Sequence, residues 1–231
     1  MWTRAELKEN AKQVLRRTYW SGFLAMIIIS FLSAGGSGYE AMVRLGQELN
    51  FVVALPVLGF VGVFSLVYNI FLSNPLIVGK NYYFLRSREH NPELSNIFSR
   101  FGNGDYLNVV CTTLIKDIKV FLWTLLFIIP GIIKGYEYFF IPYIIAENPK
   151  LSYTRAFEIS KDMTDGIKFQ IFVLQLSFLG WYLLGALACG VGVLFVNPYN
   201  EATMAELYMA QRAKVLAEYK ATEEELYGFR N

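Results

Sequence analysis

Four apolar runs, residues 19–34, 51–72, 120–146 and 169–196, decide what this chain can fold into. Runs of about 18 or more apolar residues match the length of a helix crossing a bilayer core of about 30 Å. In hydrocarbon the backbone must satisfy its own hydrogen bonds, which selects helices or closed barrels. The runs are continuous rather than alternating, so helices follow. Composition agrees: 17% charged residues and a mean hydropathy of +0.36, against about 25% charge in soluble domains. The expected fold is all-α, a polytopic membrane helix bundle forming one domain over residues 1–231. The basic stretch before the first run is long and helix-forming, which marks that run as a retained span rather than a cleaved signal.

The stretch LLFIIPGIIKGYEYFFIPYIIAENP (125–149) is too oily for a loop and too interrupted for one ordinary span, and an internal repeat explains it. NPELS at 91–95 and NPKLS at 148–152 each open an amphipathic pattern. Asn sits as N-cap and Pro at the first helical position. Leu94, Ile97, Phe98 and Phe101 form the first stripe; Ala156, Ile159, Met163 and Ile167 form the second. The copies close at similar distances on the IPY of Pro142 and the NPY of Pro198. A third copy starts with TRAELKENAKQVLRR, where Thr3 and Glu6 make a capping box. It ends at Asn74-Pro75 and is lengthened by the polar insert SAGGSGYEAMVRLGQELN. The repeats run over about 1–85, 91–147 and 148–212, with a short polar tail at 213–231.

Because the first copy holds two spans, the others are read as hairpins too. Six spans result: 19–34, 51–72, 106–129, 132–146, 168–187 and 190–210. Pro130-Gly131 is then the tip of the middle hairpin and ALACGVG the tip of the last. Each hairpin follows an amphipathic helix on the cytoplasmic face. With the N-terminus inside, this topology puts 17 Lys and Arg inside and 2 outside, whereas four spans put 15 against 5. The positive-inside rule favours six. Two-span repeats enter the membrane in one orientation, giving parallel, pseudo-threefold repeats rather than inverted ones.

LWTLLFIIPGIIKGYEYFFIPYIIAENP, SKDMTDGIKFQIFVLQLSFLGWYLL and NPY together closely resemble the bacterial integral-membrane family catalogued as domain of unknown function 975. The resemblance covers about residues 90–210 specifically and the N-terminal third loosely. It implies a multi-pass protein of a bacterial plasma membrane, mainly Gram-positive; the Lys and Arg distribution places both termini on the cytoplasmic side. Met163 is followed by Thr164, where such proteins often carry a second Met. The family brings no catalytic residues to transfer. A remoter likeness, to the membrane domain attached to some glycerophosphodiester phosphodiesterases, implies lipid-related work.

Catalytic patterns are missing: no G-x-S-x-G, H-E-x-x-H or P-loop occurs, and the single histidine, His90, reads as a solvated loop residue. Cys111 and Cys189 read as buried, reduced thiols. No enzyme activity, cofactor, metal site or nucleic-acid partner is expected. The glycines of GFVG and GVG are expected to pack helices closely. Trp2, Tyr19, Trp20, Tyr82, Tyr83, Trp181 and Tyr182 read as interfacial belts. Charge inside a membrane is costly and calls for a partner, so Lys116, Asp117, Lys119, Lys134, Tyr136 and Glu137 form the candidate intramembrane cluster, with Lys119 paired to Glu137. Asn74, Pro75, Pro142, Asn197 and Pro198 are candidate helix breaks. The expected role is a non-enzymatic membrane protein that binds membrane lipid, a partner protein or a second copy as an accessory factor. The alternative is a small transporter or channel using the middle cluster.

Overall fold

The computed structural model describes residues 2–34, 51–102, 104–187 and 190–227. Among these the chain is all helix, turn and coil. Helix α1 spans Arg4–Ala34 and α2 Phe51–Tyr68. A π-helical turn, Asn69–Ser73, leads into α3, Asn74–Arg86, and a 3-10 turn covers Leu94–Phe98. Helices α4 (Tyr106–Leu126), α5 (Ile128–Glu137) and α6 (Ile141–Glu147) follow. Then come α7 (Tyr153–Thr164), α8 (Lys168–Leu187) and α9 (Val191–Ala217).

Local signals explain where several helices start. The Thr3 side chain accepts from the Glu6 backbone N–H while Glu6 accepts from the Thr3 N–H at 2.7 Å, the reciprocal cap the sequence announces. The other proposed caps move. Asn148 Oδ1 accepts from the Lys150 N–H in a local turn, and Ser152, closer to the helix, caps α7 through the Arg155 N–H. Likewise Asn91 receives the Ser21 hydroxyl, and the 3-10 turn begins after Glu93. Asn side chains bond their own following backbone readily, which favours a turn over a cap.

α1 differs from expectation. Its basic half and its apolar half form one helix of 31 residues, so no separate interfacial helix precedes the first hairpin. The reason lies in the buried stripe Leu7, Ala11, Leu15, Thr18, Ala25, Met26 and Ile29, which keeps helical spacing across the polarity change. That stripe packs along α9. At the centre lie α3 and the wholly buried α6; Tyr83 and Phe84 of α3, Phe140 before α6, and Tyr208 of α9 fill the core. Tyr83, expected in an interfacial belt, is therefore a core residue. The second amphipathic stripe behaves as read, with Ala156, Ile159, Met163 and Ile167 all buried.

Outside this core the surface is strongly apolar. Phe31, Phe60, Val63, Phe121, Leu125, Phe169 and Leu187 are among many exposed large hydrophobics. Among the described residues, Leu55–Arg86, Ile128–Glu147 and Lys168–Leu187 are long and apolar enough to cross a membrane. Monomeric soluble proteins rarely expose contiguous apolar surface on this scale.

Gly185 and Gly192 let α8 and α9 touch, since a Cβ on Gly192 would lie 2.6 Å from the Gly185 Cα. Gly59 and Gly62 of GFVG face open space instead; the close-packing reading fails there because α2 leans on nothing along that face. Cys111 is exposed, not buried, because Val109, Val110, Thr112 and Thr113 take the inner face of α4. Cys189 lies outside the described residues. His90 is exposed in its connection, as expected.

Candidate functional site

Lys8, Lys12 and Arg16 are spaced four apart, so α1 carries them on one flank. Its neighbouring flank holds Leu7, Ala11 and Leu15 in the core. Between this cationic flank, α8 and α9 runs a groove of about 900 Å³ lined by Leu15, Tyr19, Trp181, Phe195, Val196 and Tyr199 with the three cations. The Lys8 ammonium sits 4.5 Å from the centre of the Phe178 ring. Burial, helped by the nearby Arg4 and Lys12 charges, lowers the Lys8 pKa from the ordinary lysine value. Lys12 has Glu9 as an exposed partner at 3.5 Å. Lys8 and Arg16 face no carboxylate within ion-pair distance among the described residues. The groove thus pairs an apolar, aromatic floor with incompletely neutralised positive charge.

The middle-hairpin residues do not form one cluster. Glu137, 6% exposed, is held by Lys134 at 2.7 Å and by Lys168 of α8 at 3.0 Å. Its backbone carbonyl accepts from Ser160. Asp117 pairs with Lys116 at 2.9 Å and accepts from the Asn74 amide at 2.8 Å. Tyr136 donates to Gln175. The expected Lys119–Glu137 pair is wrong: the Lys119 ammonium lies 3.9 Å from the centre of the Phe157 ring. α7 passes beneath the hairpin and offers that ring, while Lys134 and Lys168 already saturate Glu137.

Nor is Pro130-Gly131 the turn. The chain breaks at Phe127, which is extended (φ −155°, ψ 140°), and Pro130 falls in the first turn of α5. Pro is well placed there, because the N–H it lacks would have no intrahelical partner. The break positions differ among themselves. Before Asn74-Pro75 the helix makes a π-helical turn, with the Asn74 N–H reaching Asn69 O. Pro75 has no N–H for the carbonyl of Phe71, and the Tyr106 hydroxyl donates to that carbonyl instead. Pro142 begins α6 after a turn at residues 138–140. At Asn197-Pro198 the helix does not end; α9 runs through Pro198.

A set of buried and half-buried ion pairs was not visible in the sequence. Glu147 is fully enclosed, bonded by the Tyr208 hydroxyl and by Arg212 Nε at 2.7 Å. Arg88 grips Glu206 through two bonds of 2.6 and 3.3 Å, and Lys80 meets Glu201 at 2.6 Å. Arg155 grips Glu225 at 2.6 and 3.1 Å, and Asn148 donates to the Glu225 carbonyl. These contacts bind the segment after α9, including buried Leu226, to α6 and α7. The Arg155 side chain lowers the Glu225 carboxyl below its ordinary value. The available signal was Glu147, the single charge on the otherwise apolar run IPYIIAE, where a buried carboxylate needs a cation.

Helices of membrane length, an exposed apolar surface and basic clusters define a membrane-associated helical protein. Residues 125–214 match the family described as Protein of unknown function (DUF975), the family the sequence resembles. No curated protein and no solved structure matches the chain.

Proposed function

We propose that this chain is a non-enzymatic integral membrane protein that holds an anionic phospholipid in the groove between α1, α8 and α9, acting as an accessory factor in a bacterial plasma membrane. The observation that carries this reading is the alignment of Lys8, Lys12 and Arg16 along an apolar groove walled by Trp181, Phe195 and Tyr199. A headgroup phosphate complements the cations, each worth about 1 kcal/mol near anionic lipid, and an acyl chain fits the floor. Three hairpins enter the bilayer from the basic end in this reading, and both termini are cytoplasmic.

The test is native mass spectrometry of protein extracted in its own membrane lipid, followed by exchange into nanodiscs of phosphatidylglycerol or phosphatidylcholine. Retention of anionic lipid, lost in the Lys8→Ala/Lys12→Ala/Arg16→Ala variant, is the expected result. Equal retention of both lipids, or an unchanged variant, rules the groove out as an anionic-lipid site.

A further inference from the structure

We infer that the α4–α5 hairpin is a re-entrant wedge whose tip ends inside the hydrocarbon rather than in water on the far side. The tip is the most apolar part of the hairpin. Leu125 to Ile129 are five consecutive exposed large hydrophobics, and Ile132 and Ile133 follow them. No polar side chain occurs between Thr124 and Lys134. A turn that emerged into water would leave this cap solvated at considerable cost, at about 25 cal/mol per Å² of apolar surface.

The break itself leaves little backbone unpaired at Phe127. The break is a single residue, Phe127, whose N–H bonds Trp123 O at 3.0 Å while its own carbonyl accepts from the Gly131 N–H at 3.1 Å. Pro130 has no N–H to leave unpaired. The arms touch directly, for a Cβ on Gly131 would fall 2.2 Å from Thr124 Oγ1. Phe127, the residue at the break, thus has both of its backbone groups bonded within the hairpin, as hydrocarbon demands.

The wedge is also short. Glu137 touches Lys168, the first residue of α8. From Glu137 the hairpin climbs ten residues to Phe127, about 15 Å at 1.5 Å per residue. From the same contact α8 climbs 20 residues, about 30 Å. The other arm agrees: Lys119 rests on Phe157 of the amphipathic α7, eight residues and about 12 Å below the tip. If α8 crosses a core of about 30 Å, the wedge stops near the midplane, with Lys119, Lys134, Glu137 and Lys168 at its base. Of the membrane-length stretch Ile128–Glu147, only α5 then lies in the hydrocarbon, while α6 is buried in the protein.

This inference rests on the hairpins entering from the basic end, and the test separates the two. In a Cys111→Ala/Cys189→Ala background, single cysteines are introduced at Ile129, at Ile132 and, as an external control, at Ser37. Sealed right-side-out and inverted vesicles are treated with a membrane-impermeant maleimide. Expected are labelling of Ser37→Cys from outside only, and at least tenfold slower labelling of Ile129→Cys and Ile132→Cys from either side until detergent is added. A bimane on either tip cysteine should be quenched more by a nitroxide midway along the acyl chain than by one on the headgroup. Labelling of a tip cysteine from the side that labels Ser37→Cys, or stronger headgroup quenching, overturns the wedge. Failure of Ser37→Cys alone overturns the topology and leaves the quenching result to decide the wedge.

Discussion

Glu147 shows what a single buried charge demands. With Arg212 and Tyr208 around it its desolvation is offset by local bonds, but removing one partner strands the other. Arg212→Met should destabilise the protein by about 3–5 kcal/mol, while Arg212→Met with Glu147→Leu should recover much of that loss; thermal unfolding in detergent measures both. Equal loss in the two variants would show that the pair is not the cause. Glu225 gives a pH dependence whose sign follows from its lowered pKa. Its carboxylate stabilises the folded protein above the ordinary value of 4.5, and that contribution disappears as pH falls through the depressed folded value. The protection factors of the amides of residues 218–227, with the intrinsic pH dependence of exchange divided out, should therefore fall on acidification below about pH 4.5 in the wild type more than in Glu225→Gln. Parallel profiles would exclude Glu225 as the titrating group. The sequence alone had assigned Glu137 to Lys119, two residues on neighbouring arms. Lys168 lies thirty-one positions further along, a distance no local spacing rule reaches.

At the scale of elements, the π-helical turn and Gly79 both concern how a helix tolerates interruption or close approach. Tyr106→Phe removes the donor to the Phe71 carbonyl beside Pro75; a loss of about 0.5–1.5 kcal/mol is expected, read as a lowered Tm. Gly79 faces the 3-10 turn so closely that a Cβ there would lie 1.8 Å from the Ile97 carbonyl oxygen. Gly79→Ala should separate α3 from residues 94–98 and cost about 1–3 kcal/mol from overpacking, whereas Gly59→Ala, with nothing within 4 Å, should be close to neutral. A neutral Gly79→Ala would mean that the turn moves freely. Prolines illustrate how far sequence carries at this scale. Pro75, Pro130, Pro142 and Pro198 all remove a donor, yet Pro75 opens a helix that directly continues a π-helical turn, Pro130 and Pro142 sit in the first turns of helices that follow a break, and Pro198 lies in a helix interior. Which outcome occurs depends on what else can bond the freed carbonyl, and that is a tertiary matter.

For the whole molecule, the amino-acid sequence by itself determined the all-α class, the presence of membrane-length helices, of which three rather than six are found among the described residues, and the resemblance borne out over residues 125–214. Those properties depend on hydropathy and on periodicities of 3.6 residues, which are local and additive along the chain. It also showed the stripe on α7 and the capping box of Thr3 and Glu6, both short-range. Only the tertiary structure decided that α1 continues through its change of polarity, that Tyr83 lies in the core, and that the middle hairpin turns at Phe127. It likewise decided that Lys8, Lys12 and Arg16 meet Trp181 and Phe195 across a groove, since those aromatic residues lie more than 160 positions away. An ionised group takes whichever partner and ring the packed helices bring within a few ångströms, because burial makes an unpaired charge costly at any sequence separation. Apolar patterning chooses the helices; where helices cross chooses the ion pairs, the turn and the groove.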